Sequence, residues 1–157
     1  MDIEVEWQWG RINSFSVVDW HHVISLRQAV FVVEQDCPYL DADVLDLESW
    51  HLVAWSVDKG VHPQALGYLR VIDPGAKYAE ASIGRLLTQI DYRNKGLGRA
   101  LMSSAIGRIE ALFPGQLVRI SAQEHLRKFY EHYGFRQVGD GYDEDGIPHI
   151  EMISDLS

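Results

Sequence analysis

Hydrophobic positions alternate along some stretches of the chain and recur every three to four residues along others. Ile3, Val5, Trp7 and Trp9 alternate with polar residues and predict a strand over residues 3–9. Ser16-Val17-Val18-Asp19 is a capping signal. It opens a helix whose apolar face is Val17, Trp20, Ile24, Ala29, Val30 and Phe31. That helix is expected to end near Val33, because Cys37-Pro38 disfavours helical backbone at Cys37. Residues 36–49 are acidic and irregular. Strands follow at His51–Asp58, Leu66–Ile72 and Glu80–Gln89, separated by Lys59-Gly60 and by Asp73-Pro74-Gly75. Leu97, Leu101, Ala105, Ile106 and Ile109 mark a helix running to about Leu112, where Phe113-Pro114-Gly115 stops it. Leu117–Ala122 reads as a short buried strand, and Glu124–Tyr133 as a helix with Gly134 as its C′ residue. Phe135–Tyr142 and Ile147–Met152 form a closing hairpin. The order β, α, three strands, α, β, α, β, β predicts an α/β (α+β) fold on a mixed sheet, with a parallel crossover around residues 80–122.

Length and charge narrow the function. The 157 residues suit one domain, 1–157, able to bury roughly 70% of its unfolded surface. No apolar run approaches the ~20 residues of a membrane span. Residues 1–6 are acidic and alternating, unlike a signal peptide. The single cysteine, Cys37, fits a reducing compartment, so a cytoplasmic location is expected. A net charge of −9 argues against a broad electrostatic grip on nucleic acid, while it would attract a basic substrate.

Positive charge gathers in one place, Tyr92-Arg93-Asn94-Lys95-Gly96-Leu97-Gly98-Arg99. The stretch lies between a predicted strand and a predicted helix. Its glycines let backbone approach a ligand closely. The first helical amides have no intrahelical partner and favour anions. Arg93, Lys95 and Arg99 add charge, which suggests a pyrophosphate cradle; a basic helix cap is the plain alternative. A Rossmann fingerprint starting at Gly96 would need glycine where Leu101 stands, and no Walker A tripeptide occurs.

The spelling Arg-x-x-Gly-x-Gly resembles the acetyl-CoA loop of the GCN5-related N-acetyltransferases (GNAT). Phe129-Tyr130, followed by Gly134-Phe135, is similar to a second motif of that superfamily, and the two stand in the correct order over residues 82–135. Residues 27–39 with Asp41 and Asp43, Ile83-Gly84-Arg85, and Asp145–Ile150 resemble the ElaA-like subgroup. The resemblance implies a mixed central sheet of six to seven strands, flanked by helices, with two parallel strands splayed in a V around a pantetheine arm. It implies an N-acetyltransferase acting on acetyl-CoA and a small-molecule or peptide amine by direct attack in a ternary complex. A non-catalytic acyl-CoA sensor or docking module is the alternative. A monomer or homodimer, without metal, membrane or nucleic acid, is expected.

Acyl transfer to an amine needs a donor for the carbonyl oxygen, a base for the amine, an acid for the thiolate, and positioning. By resemblance the donor is the backbone amide of Leu86, with Leu87 and Thr88 pairing to the pantetheine. Arg93, Asn94, Lys95, Gly96, Leu97, Gly98 and Arg99 would hold the phosphates, and Gln123 and Tyr130 complete the cofactor set. Tyr130 is the candidate acid, since a phenol with pKa near ~10 is protonated at neutral pH; the other reading is a core aromatic. Some relatives carry a glutamate base where this chain has Ser82. Glu34, His149, His51 and Glu80 are the remaining base candidates, alongside a water chain to a distant carboxylate. Asp41-x-Asp43 fails the calcium-loop spacing, and no histidine pair has zinc spacing. Cys37 is read as a small buried hydrophobe or a nucleophile. Asp41, Asp43, Asp46 and Glu48 are read as a solvated acidic rim, or as a mouth that draws in a cationic acceptor.

Overall fold

The computed structural model describes residues 3–57 and 63–157. Strands β1 (Val5–Arg11), β2 (Trp50–Ser56), β3 (Ala65–Ile72) and β4 (Ser82–Thr88) form an antiparallel sheet in that order. Strands β5 (Val118–Gln123), β6 (Arg136–Glu144) and β7 (Ile147–Ser154) form a second, in the order β5-β7-β6. A lone parallel bridge, Ala81 to Val118, joins the two, with the Arg119 amide donating to the Ala81 carbonyl at 2.9 Å. The expected elements are all present, with boundaries shifted by a few residues. The expected end of the second strand at Asp58 and the turn at Lys59-Gly60 lie outside the described residues.

Helix α2 (Leu97–Leu112) buries Leu97, Leu101, Met102, Ala105 and Ile109 against one face of the first sheet and against β5 and β7. The fit is close. A Cβ at Gly67 on β3 would lie 2.8 Å from a methyl of Leu101, so only glycine lets the helix seat here. Helix α1 (Val17–Arg27) covers the opposite face, where Val23, Leu26 and Val30 meet Val53, Trp55 and Tyr68. With a helix on each face, β3 is buried along its whole length.

The first helix differs from expectation in two respects. Its buried residues are Val23, Leu26, Arg27 and Val30, whereas Val17 and Ala29 are exposed. A stripe drawn through apolar residues alone misses Arg27, which is fully buried. The helix also continues past Arg27 as a π-helix, Gln28–Glu34, with the Gln35 amide bonded to the Val30 carbonyl at 3.2 Å. The expected helix at Glu124–Tyr133 is a 3-10 turn followed by a short α3 (Arg127–Glu131).

Of the acidic stretch, Glu48 is exposed as a solvated rim would be, but Asp41, Asp43 and Asp46 are not. Asp41 and Asp46 are buried, and Asp43 is half-buried. Arg27 spans Asp41 Oδ2 and Asp46 Oδ1, both at 2.7 Å. Arg70 of β3 grips Asp43 at 2.6 Å and shares Asp46 Oδ1 at 2.8 Å. Arg85 of β4 lies 2.8 Å from Asp41 Oδ1 and 3.4 Å from Asp43 Oδ2. The loop is acidic because two buried arginines, Arg27 and Arg70, and the partly buried Arg85 need counter-charges. An ion taken out of water without a partner costs several kcal/mol.

His51 closes this network from below. Tyr68 OH lies 2.6 Å from its Nδ1 and the Asp46 carbonyl 2.9 Å from its Nε2. A neutral ring satisfies both, with Nε2–H donating to the carbonyl and Nδ1 accepting from Tyr68. Burial pushes its pKa down to about 4, and nearby Arg27 and Arg70 add to this while bonding to Asp46 opposes it.

Two outcomes follow for stability. Asp46→Ala should cost about 3 kcal/mol in urea unfolding, because it removes one of the two carboxylate partners from each of two buried guanidiniums. The pH dependence has a definite sign. Between pH 4 and 6.5 the unfolded chain takes up a proton on His51 that the fold excludes, so stability rises with pH across that window. The span is worth about 3 kcal/mol. Asp43 and Asp46, held below the ordinary carboxylate range chiefly by Arg70 and Arg27 against the opposing effect of burial, lose their contribution only at more acidic pH. A flat stability profile from pH 4.5 to 6.5 would contradict the neutral assignment of His51.

Candidate active site in the cleft between the sheets

Strands β4 and β5 run parallel, touch at Ala81 and Val118, and pair nowhere further along among the described residues. Beyond that bridge they form a V, and the inner edge of β4 is left without a strand partner. The V opens into a cleft of about 390 Å³ whose lining includes Leu86, Gln123, Tyr130 and His149. That size suits a small-molecule site.

Leu86 sits in a β-bulge. Tyr68 pairs with Leu87 and Arg70 with Gly84, so Leu69 alone faces both Arg85 and Leu86. A bulge takes one residue out of the ladder and re-aims the strand. Arg85 adopts φ +55°, an uncommon conformation for a residue with a Cβ, and its guanidinium is held against Asp41 and Asp43. The buried charge network thus fixes the bulge beside the cleft. Leu87 and Thr88 continue β4 toward the open end of the V, paired to β3 on one side only.

The glycine loop forms the start of α2. Gly96 is its N-cap at φ +83°, and Asn94 is also left-handed at φ +61°. No side chain caps this helix. The first intrahelical bond runs from the Ala100 amide to the Gly96 carbonyl at 3.1 Å. The amides of Leu97, Gly98 and Arg99 therefore have no acceptor within the helix. A Cβ at Gly98 would come no nearer than 3.8 Å to the Phe129 ring, so packing does not require glycine there. Lys95 and Arg99 are exposed beside these amides. The Arg93 guanidinium is otherwise engaged: it is bidentate on Glu34 at 2.6 and 2.8 Å and donates to the Thr88 carbonyl. Glu34 is accordingly committed to Arg93 and does not line the cleft.

Tyr130 lines the cleft from α3 and is 8% exposed. Its hydroxyl takes no hydrogen-bond partner among the described residues, and burial raises its pKa above the ordinary phenol value. It therefore keeps its proton at neutral pH. Gln123, at the end of β5, reaches Gln35 at 3.5 Å across the V.

His149 lies on β7 with Nδ1 2.7 Å from the Ile147 carbonyl and Nε2 3.1 Å from Glu144 Oε2. Glu144 lines the cleft with it and was not singled out from the sequence. The signal was present: Asp145-Gly146, at φ +52° and +81°, is a two-residue hairpin turn, and it sets Glu144 opposite Ile147. Of the other base candidates, His51 is enclosed in the charge network and Glu80 is bonded to Arg119 at 3.1 Å. Ser82 is buried at the cleft wall. Cys37 also lines the cleft, with Sγ 3.6 Å from the Asp145 carbonyl. Burial, then Asp145 and Asp36, raise its pKa and keep it a thiol. Among the described residues no group of three or more His, Cys, Asp or Glu is placed to hold a metal ion, and no helix is long and apolar enough to cross a membrane.

Comparison with known proteins agrees with this geometry. Residues 48–156 match the acetyltransferase (GNAT) domain. A UPF0039 protein of Synechocystis sp. is 44% identical over 151 residues, covering 96% of each chain. Protein ElaA of Escherichia coli is 35% identical over 154 residues, covering 97% of each, and its crystal structure superposes with a TM-score of 0.87. An acyl-CoA N-acyltransferase from Pseudomonas aeruginosa superposes at 0.89, with 38% identity over 96% of this chain and 99% of that one. The splayed V and uncapped α2 are thus those of an acyl-CoA N-acyltransferase fold, and the chain belongs to the GNAT acetyltransferase family, among the relatives of ElaA.

Proposed function

We propose that the protein is an N-acetyltransferase that moves an acetyl group from acetyl-CoA to a primary amine on a small molecule or peptide, by direct attack in a ternary complex. The observation that carries this reading is the uncapped N-terminus of α2 beside an open strand edge and an unpartnered phenol. Together these offer a phosphate seat at the start of α2, a rail for an extended arm along β4 and a proton donor lining the cleft. Acetyl-CoA supplies a thioester whose carbonyl is already reactive toward an amine.

The chain's own residues divide the remaining work. The free amides of Leu97, Gly98 and Arg99, with Lys95 and the exposed Arg99 side chain, bind phosphate through charge-assisted hydrogen bonds. Leu87 and Thr88 offer backbone groups to an extended arm, as one strand does to another. The Leu86 amide, turned by the bulge, stabilises negative charge developing on the carbonyl oxygen. Tyr130 holds the proton that a departing thiolate needs. His149, backed by Glu144, receives the proton the amine gives up. Glu34 serves by anchoring Arg93, and through it the loop before α2. The location consistent with such an activity is the cytoplasm.

Calorimetry should detect CoA binding at micromolar affinity, with a matching rise in thermal stability. Gly98→Val should weaken it at least ten-fold while leaving the unliganded fold stable. Its side chain has room, and it would crowd the free amides. Gly96→Val is a poorer test, since φ +83° strains any β-branched residue. Absence of binding at millimolar CoA would remove the reading.

Tyr130→Phe should lower kcat by roughly 10²-fold with little change in KM for acetyl-CoA, as expected for loss of a general acid. Thiol release monitored over an amine panel reports this directly. An unchanged kcat, with chemistry rate-limiting, would return Tyr130 to a packing role.

A further inference from the structure

We propose that the amine acceptor is a zwitterion, bearing a carboxylate that is received by Lys77 while its amine faces the Glu144–His149 pair. This rests on the acyl-transfer reading above and names the class of acceptor within it.

The inference follows from which charges in the cleft are already spent. Three cationic side chains of Lys or Arg line it: Arg70, Lys77 and Arg85. Arg70 is ion-paired to Asp43 and Asp46, and Arg85 to Asp41 and Asp43. Lys77, on the turn after β3, makes no ion pair within 4.0 Å among the described residues. Its ammonium is solvent-accessible yet crowded by the walls of the cleft, which lowers its pKa; Glu144 opposes this, while Arg70 and Arg85 add to it.

The β6–β7 hairpin supplies the opposite sign. Glu144, Asp145 and His149 all line the cleft. Glu144 is the carboxylate acting most strongly on Lys77, but the two do not close to an ion pair. A gap between fixed opposite charges is filled best by a molecule with both charges in reverse order. Such a molecule would set its amine against Glu144 and His149, where a proton acceptor stands, and its carboxylate against Lys77. A simple polycation would meet Lys77 as a like charge. With the aspartates neutralised by arginine, the acidic loop offers it no compensating field.

The test compares L-amino acids with the corresponding amino-acid amides, which keep the amine and lose the carboxylate charge. Equilibrium binding is measured by calorimetry with and without CoA, and thiol release is followed with acetyl-CoA. The free acids should bind and react roughly ten-fold or more better than the amides, as expected for a charge-assisted contact. Lys77→Met should bring the acids to the level of the amides, and Lys77→Arg should restore most of the difference. Equal binding of acids and amides, or a preference that survives in Lys77→Met, overturns the proposal. Thiol release that is as fast with amides as with acids leaves acyl transfer standing and removes the carboxylate subsite. A Lys77-dependent preference for acids in binding, with no thiol released from any amine, keeps the subsite and removes acyl transfer. Acetylation of Lys77 itself, without a preference for acids, also overturns it.

Discussion

The Asp46 carboxylate is the point on which the acceptor half of this protein turns. One oxygen receives Arg27 from α1 and Arg70 from β3, and the other receives the Asp43 amide of its own loop. Asp41 and Asp43 extend the same arrangement to Arg85 in the β4 bulge. A helix, a central strand and a bulge are thereby fixed to one short loop by charge pairs that are buried at Arg27, Asp41 and Asp46 and partly exposed at Asp43 and Arg85. Replacing such a network by well-packed hydrophobic residues is often neutral or stabilising in other proteins, so its presence is not explained by stability alone. What it supplies here is geometry. It holds Arg85 at a positive φ, which turns the strand at Leu86.

This changes how the chain's net charge of −9 bears on function. A sum over residues suggests a field that attracts cations. In the fold, Asp41, Asp43 and Asp46 are matched one for one by Arg27, Arg70 and Arg85, and their field is local. On the proposed reading, selectivity in the cleft then depends on the charges left over, Lys77 on one side and Glu144, Asp145 and His149 on the other.

The sequence exposed those parts of the protein whose cause is local. The glycine loop, the start of α2 and the hairpin turn at Asp145-Gly146 are each dictated by neighbouring residues, and all three were legible. The order of elements was legible because period and punctuation are local as well. The charge network was not. Arg27, Arg70 and Arg85 lie in three separate elements, and only the tertiary fold brings them to residues 41–46. A run of aspartates with no basic neighbour in sequence looks solvated for that reason. The buried face of α1 was misread from the same cause, since its largest fully buried side chain is an arginine. The π-helix at Gln28–Glu34 left no local trace; its Val30 packs in the core and its Glu34 is held by Arg93, both contacts distant in sequence.

That clamp connects the two halves of the cleft. Arg93 sits at the entry to the α2 loop, yet its guanidinium holds Glu34 at the end of the π-helix and the Thr88 carbonyl at the end of β4. The same π-helix segment contributes Phe31 to the cleft wall, followed by Gln35. Displacement of the glycine loop would therefore be felt at the acceptor wall through a bidentate pair rather than through flexible backbone. The bulge does the complementary task, carrying Arg85 toward the acidic loop and Leu86 toward the open V. Two arginines, Arg85 within β4 and Arg93 beyond its end, thus register the start of α2 and the cleft wall against each other. On the proposed acyl-transfer reading, this registration is what would bring the free amides of α2, the Leu86 amide and the His149 ring to bear on one substrate pair.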